Sequence, residues 1–437
     1  MPAPEIHVHI EKPTPRARYV VQHVLGTLLG WTVVLEEDAD LFTTLEGPKL
    51  VYGKKAFPGA FHVVPAGLLE EQGLRPLEPQ VLKHDGSCLL FPVDGGHLPF
   101  DPFAAAFFLL SRYEELNGVD QDEHGRPIAS LLHAARHGYL DRPVVDEWAL
   151  LLETAWRAMD PALPRSQRSY RCVNTFDLDN GFKYLGRPLW RTLGSMVRDV
   201  ARGAWVEVPR RMRVLWGADP DPFDVYNELK TRLGSSAQRV LFFVLSAPRG
   251  AWDHAIPVNY GPFAERLREL IQWAEVGLHP SYGSSEQAGL TAQGSSALEA
   301  VLGKPVRITR QHFLRLRLPQ TYRELEAMGV EEEHSMGLHE LLGFRAGTCT
   351  PYLWYDLLEE RSTALRVHPF AAMDNTLFNK LKLDPQEAVA RTAQMIDRVK
   401  AVQGTFTAIW HESFLAHGEA EAPRREAIYR IMELARP

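Results

Sequence analysis

The sequence predicts an α/β protein in two parts, a smaller α/β domain over residues 1–165 and a mostly parallel sheet or β/α barrel over residues 166–437. Three observations carry this. The chain has 437 residues, room for two or three domains at roughly 150 residues each. Beyond residue 170, short apolar runs alternate with amphipathic helical patterns, as in parallel-sheet folds. Between the parts, Asp160-Pro-Ala-Leu-Pro164 followed by Arg165-Ser-Gln-Arg-Ser169 has the composition of a linker.

In the first part, Val20, Val21, Val24, Leu25, Leu28 and Leu29 recur at helical spacing, with Pro15 at the entry and Gly30 as a stop, predicting an amphipathic helix. Strands are expected at 31–35 and 50–52. Asp101-Pro102 opens an apolar helix running to Tyr113, 122–126 is a turn, and a last helix spans 144–156. In the second part, strands are expected at 171–176, 240–245, 275–279, 306–312, 365–367 and 405–411, and helices at 263–274, 322–328, 385–402 and 424–435. The insertion at 183–227, rich in Arg and Trp, is too long for a tight βα loop and is expected to form a helical lid.

Composition excludes several classes. Acidic residues number 55 against 48 basic, a net charge of −7, with 45% hydrophobic and 24% charged residues, values of an ordinary soluble protein. A chain whose main work is neutralising nucleic-acid phosphate needs a basic face, so no nucleic-acid partner is expected. The start, Met1-Pro-Ala-Pro-Glu-Ile-His, carries neither a basic leader nor an apolar stretch, and apolar segments such as 104–110 are far shorter than the ~20 residues of a membrane helix. A cytoplasmic protein with no membrane partner is expected. Cys88, Cys172 and Cys349 are widely spaced, without a CxxC pair, and are expected to be reduced, packed thiols.

The chemistry lies at strand ends. Asn174-Thr-Phe-Asp-Leu-Asp-Asn180 sets Asp177 and Asp179 two positions apart, which in an extended chain points both to one side. One can then ligate a metal while the other takes a proton from water. His279 ends a second strand, His312 a third and His411 a fourth, all on the face where β/α folds gather catalytic groups. One carboxylate and two imidazoles with open positions suit zinc or another divalent first-row metal.

With these residues in place, the second part resembles the polysaccharide deacetylase superfamily (NodB homology, carbohydrate esterase family 4), in a divergent bacterial group with an extra N-terminal domain. The resemblance covers about residues 170–437 and implies a distorted (β/α) barrel. Thr175-Phe-Asp177-Leu-Asp179 resembles the first motif, with one residue inserted between the carboxylates, and implies Asp177 as general base and Asp179 as metal ligand. His279-Pro-Ser-Tyr-Gly283 resembles the second motif, but Gly283 stands where the family has a second histidine, and His312 is expected to replace it. Phe344-Arg345 through Pro351 resembles the third motif and implies that Arg345 orients the base. Met373-Asp374 resembles a later acidic motif, and Phe406 through His411 the last, with His411 as general acid. Phe100-Asp-Pro-Phe103, Ser111 through Glu115 and Arg142 through Trp148 resemble the N-terminal domain of this group, which has no assigned chemistry.

The implied activity is metal-dependent removal of an acetyl or similar acyl group from the amide nitrogen of a sugar or glycan. The expected metal is Zn2+, with Co2+, Ni2+ or Mn2+ as alternatives, and the expected partner is the N-acylated sugar. Tyr184, Trp190, Tyr282 and Trp410 are candidates to stack on a sugar or to pack the core. Two other readings stand beside this one: a non-catalytic carbohydrate-binding scaffold, motivated by Gly283, and a glycosidase using Asp177 and Glu412. The oligomeric state is open.

Overall fold

The computed structural model describes residues 4–234 and 238–437. The reading of the chain start as leaderless falls partly on residues 1–3, outside the described residues. In the first part, β1 (Glu5–Ile10), β2 (Thr32–Leu35), β3 (Lys49–Tyr52) and β4 (Phe61–Val63) form a parallel sheet in the order β2-β1-β3-β4. Sequence reasoning passes over β1, although buried Ile6, Val8 and Ile10 show its period-two alternation. The helix expected after Pro15 forms as an α-helix over Pro15–Val21 that widens to a π-helix over Gln22–Leu28. Thr14 caps its first turn and Gly30, at φ 74°, follows its end. Val81–His84 (β5) and Ser87–Leu90 (β6) add a hairpin. The apolar helix Pro102–Leu110 is capped by buried Asp101, whose Oδ1 accepts the amides of Phe103 and Ala104.

In the second part the strands are β7 (Arg171–Leu178), β8 (Arg239–Leu245), β9 (Glu275–His279), β10 (Ile308–Thr309), β11 (Glu332–Met336), β12 (Tyr352–Asp356), β13 (Arg361–Pro369), β14 (Ala372–Met373) and β15 (Thr405–His411). They form one sheet in the order β12-β13-β11-β10-β9-β8-β7-β15-β14, parallel throughout except for β12 on β13. The sheet curls into a distorted barrel closed by the chain itself. Leaving β13, the Phe370 amide donates to the Met336 carbonyl of β11, and the Ala371 amide donates to the Thr407 carbonyl of β15. One extended run thus departs from β11 and joins β15, completing a ring whose C-terminal strand ends face the same way.

The structure differs from expectation where polarity hides a strand. Glu332-Glu-His-Ser-Met336, given no element from the sequence, is β11: Glu333 is bonded by Tyr322 and Ser335, and Glu332 meets His334 and Arg239. The strand expected over 306–312 stops at Thr309, and His312 opens a short 3-10 turn. The insertion is helical, as expected, over Leu189–Ala201, Glu207–Leu215 and Tyr226–Leu233. All three cysteines are free and buried.

The two parts share a core. The apolar cluster that begins at Ile6 runs without a break into Leu316, Trp354 and Val367 of the barrel's β11–β13 side. Buried ion pairs tie the same seam: Arg16 with Glu360, Arg345 with Glu115, and Arg168 with Asp146. Removing one partner of such a pair strands a charge in low dielectric, at about 3–5 kcal/mol.

Candidate active site

Asp177 lies near the end of β7, beside its register partner His411 of β15, and β9 ends in His279 two strands away. Asp179 follows β7 on the same side as Asp177, as period-two geometry requires. His279 and His312 converge on it: their Nε2 atoms stand 3.4 and 3.8 Å from Asp179 Oδ1, and the three ligand atoms lie within 4.8 Å of one another. Asp179 Oδ1 is buried without a hydrogen-bond partner, an arrangement that costs free energy unless something cationic meets it.

The imidazoles are held so that Nε2 is free. His279 Nδ1 donates to the Arg310 carbonyl, and His312 Nδ1 donates to Asp253 Oδ1 at 2.9 Å. A donor on Nδ1 leaves the Nε2 lone pair available, the usual support of a metal-bound histidine. Phe313 and Leu314, directly after His312, both have positive φ, 60° and 57°. Side chains there cost of order 1–3 kcal/mol each, strain typical of functional loops. The donor set, the orphaned oxygen and the Nδ1 partners all fit a divalent cation.

Asp177 is almost fully buried. Its Oδ1 accepts a hydrogen bond from Arg310 Nη1 at 2.7 Å, and its Oδ2 stands 3.9 Å from His279 Nε2. His411 donates its backbone amide to Asp374 Oδ2 and its Nδ1 proton to Asp374 Oδ1, each at 2.6 Å, while its Nε2 lies 3.9 Å from Asp179 Oδ2. Burial alone would push the His411 imidazole down, but the carboxylate of Asp374, with Asp179 and Asp177 beyond it, raises it well above its ordinary value. Burial likewise pushes the Asp179 carboxyl up, yet the approach of His279, His312 and His411 outweighs it and holds the group well below the carboxylate range.

Arg345 does not reach this site. It makes a two-pronged ion pair with Glu115, 2.9 and 2.7 Å, in the seam between the two parts, so its expected role of orienting Asp177 is corrected. Arg310 holds that position. The sequence contained a signal for it: Arg310 and His312 are two apart after β10, the same spacing as Asp177 and Asp179. Asp253, in an irregular loop, gave none.

Glu412 is buried, and its carboxylate accepts the amides of Asn180 at 2.7 Å and Asp179 at 3.3 Å. Burial and the neighbouring Asp179 push it up to about 7. Occupied by backbone amides, it is poorly placed to partner Asp177 as a glycosidase would need. Trp410 and Tyr184 are buried, and Trp190 is exposed on the insertion. Tyr282 stacks under Arg315, with its hydroxyl on His124. His124 and Arg126 of the first part line the same cavity of about 190 Å³ as Asp177, Asp179 and His411. The first part therefore builds one wall of the site.

Comparison with known proteins adds little to this geometry. Residues 6–161 match a family of unknown function, DUF7033. No curated protein matches. Among solved structures, a candidate polysaccharide deacetylase of Mycobacterium smegmatis is 15% identical, with 61% of this chain and 83% of that one covered and a TM-score of 0.40. A polysaccharide deacetylase of Bacillus cereus is 10% identical, with 61% and 88% covered and a TM-score of 0.31. A pseudoenzyme of the CE4 family from Bacillus anthracis is 10% identical, with 61% and 62% covered and a TM-score of 0.30. Likenesses this distant do not assign an activity.

Proposed function

We propose that this protein is a metal-dependent hydrolase that removes an acetyl or similar acyl group from the nitrogen of a sugar. The observation that carries the reading is Asp179 Oδ1, buried and unpartnered between two imidazoles whose other nitrogens are anchored, with Asp177 and His411 beside them.

Asp179, His279 and His312 would hold the cation, with Zn2+ favoured by a donor set of one carboxylate and two imidazoles. Such a cation polarises the acyl carbonyl and lowers the pKa of water. Asp177 Oδ2 takes the proton from the attacking water, while Arg310 on Oδ1 fixes the carboxylate's rotation. His411, protonated because Asp374 holds its Nδ1 proton, gives the Nε2 proton to the departing amine. This donation matters because an amine anion is a very poor leaving group, and general acid help is worth ~10²–10⁴-fold. His124 and Arg126 face the substrate from the first part.

The domain division near residue 165 belongs to the same reading: an accessory unit that packs on the barrel and completes the wall. So does a cytoplasmic setting, with which the three free cysteines agree. Among the described residues no helix is long and apolar enough to cross a membrane. The test is acetate release from N-acetylated sugars by zinc- or cobalt-loaded protein, with Asp177→Asn as control. Release abolished by the substitution supports the reading, and a loaded protein that releases nothing from a panel of such sugars refutes it.

A further inference from the structure

The helical insertion is built inside out. Helix Leu189–Ala201 is strongly amphipathic, yet the side chains on its apolar stripe point to solvent. Leu189, Leu193 and Val197, four residues apart and therefore on one face, are joined by Trp190, and these four are between 62% (Leu193) and 82% (Leu189) exposed. Its polar side instead faces the body of the protein: Thr192 is buried, and half-buried Ser195 and Asp199 line a cavity with it. The turn after this helix adds exposed Trp205 and Val206, and the end of the next helix adds Trp216. Globular proteins rarely leave so many large apolar groups together in water, and such a patch marks a binding surface.

The charge of the same segment selects the occupant. Residues 187–216 hold seven arginines against two acidic residues, a net +5 within a chain of net −7. Arg202 is exposed beside the apolar tips and Arg191 stacks on Trp190, while Arg213, also exposed, is paired with Asp219. A second copy of this chain would bring +5 against +5. Leucine and tryptophan tips ringed by arginine instead match the boundary of an anionic bilayer, where the rings sit at headgroup level and the guanidinium groups meet phosphate.

We infer that residues 189–216 dock this protein onto the surface of an anionic phospholipid membrane, lying in the interface and not crossing it. This departs from the sequence expectation of no membrane partner and is independent of the hydrolase reading. The experiment is co-sedimentation of the full chain with vesicles of phosphatidylcholine alone or mixed equally with phosphatidylglycerol, alongside sedimentation velocity without lipid. Binding to the mixed vesicles, weakened by salt, is expected. It should fall by ~10-fold or more in Arg191→Glu/Arg202→Glu and comparably in Leu193→Ser/Val197→Ser, whose exposed positions leave the circular dichroism spectrum unchanged. Equal binding to neutral vesicles, binding to neither, or a dimer that Leu193→Ser/Val197→Ser abolishes overturns the inference.

Discussion

Among its described residues the barrel contains two clusters of one carboxylate and two histidines, and the charges around them differ. At the C-terminal strand ends stand Asp179, His279 and His312. Around β11 and β13 stand Glu332, His334 and His368, equally close together. In the second cluster Glu332 Oε2 lies 3.2 Å from the Nε2 atoms of both histidines, whose rings stack at 4.2 Å. Arg239, however, already places Nη2 2.8 Å from that same oxygen and grips Glu275 through Nε and the same Nη2. His334 Nδ1 has no partner. Burial drives both imidazoles well below their ordinary pKa, with the nearby arginines acting in the same direction.

In the first cluster the charges are arranged the other way. Among the described residues no guanidinium touches Asp179, the cationic Arg310 being spent on Asp177, and His279 and His312 both have their Nδ1 atoms anchored. Composition and spacing of donors therefore do not distinguish a metal site from an internal plug. What distinguishes them is whether the carboxylate is already neutralised and whether the far nitrogens are held.

The largest expected break in this comparison is Asp177→Asn, which should cost turnover ~10²–10⁴-fold with full metal retention in acid-digest analysis. Loss of metal would exchange the roles of the two aspartates. Next, His312→Ala should lower metal affinity as much as His279→Ala, by more than the ~10–100-fold expected of an outer partner, in competition with a chelating dye. Asp253→Ala, acting through His312 Nδ1, should fall within that ~10–100-fold range. The effect of pH falls on stability and leaves the metal site aside. His334 and His368, and His23, which burial pushes down to about 4, bind protons more readily when unfolded. Their stabilisation is present above the unfolded value of about 6.5 and is lost as pH falls toward 4, on the order of 3 kcal/mol for His23 alone. Melting temperature should drop over that window, and His334→Asn should flatten the slope.

The sequence disclosed what depends on period and strand ends. Asp177, Asp179, His279, His312 and His411 were legible because parallel strands deliver their last residues, and for Asp179 and His312 the residues just beyond, to one face. Asp374 was legible only through resemblance, and the structure places it on His411. Arg345 misled because a short Arg-to-Pro pattern does not specify which carboxylate it meets, and here that carboxylate is Glu115 of the other part. Asp253, His124 and Arg126 come from irregular segments, whose positions are set by packing and not by local pattern. β11 escaped notice because a strand lining a polar barrel interior has no apolar alternation to show.

The central claim is tested most directly by metal stoichiometry. Wild-type protein, His279→Ala/His312→Ala and His334→Ala/His368→Ala should each be loaded with zinc, desalted and assayed by plasma mass spectrometry, with folding checked by circular dichroism. The proposed function predicts one equivalent in the wild type, its loss from the His279/His312 variant, and its retention in the His334/His368 variant. Zinc that instead leaves with His334 and His368, or a folded wild type that retains none, would contradict it.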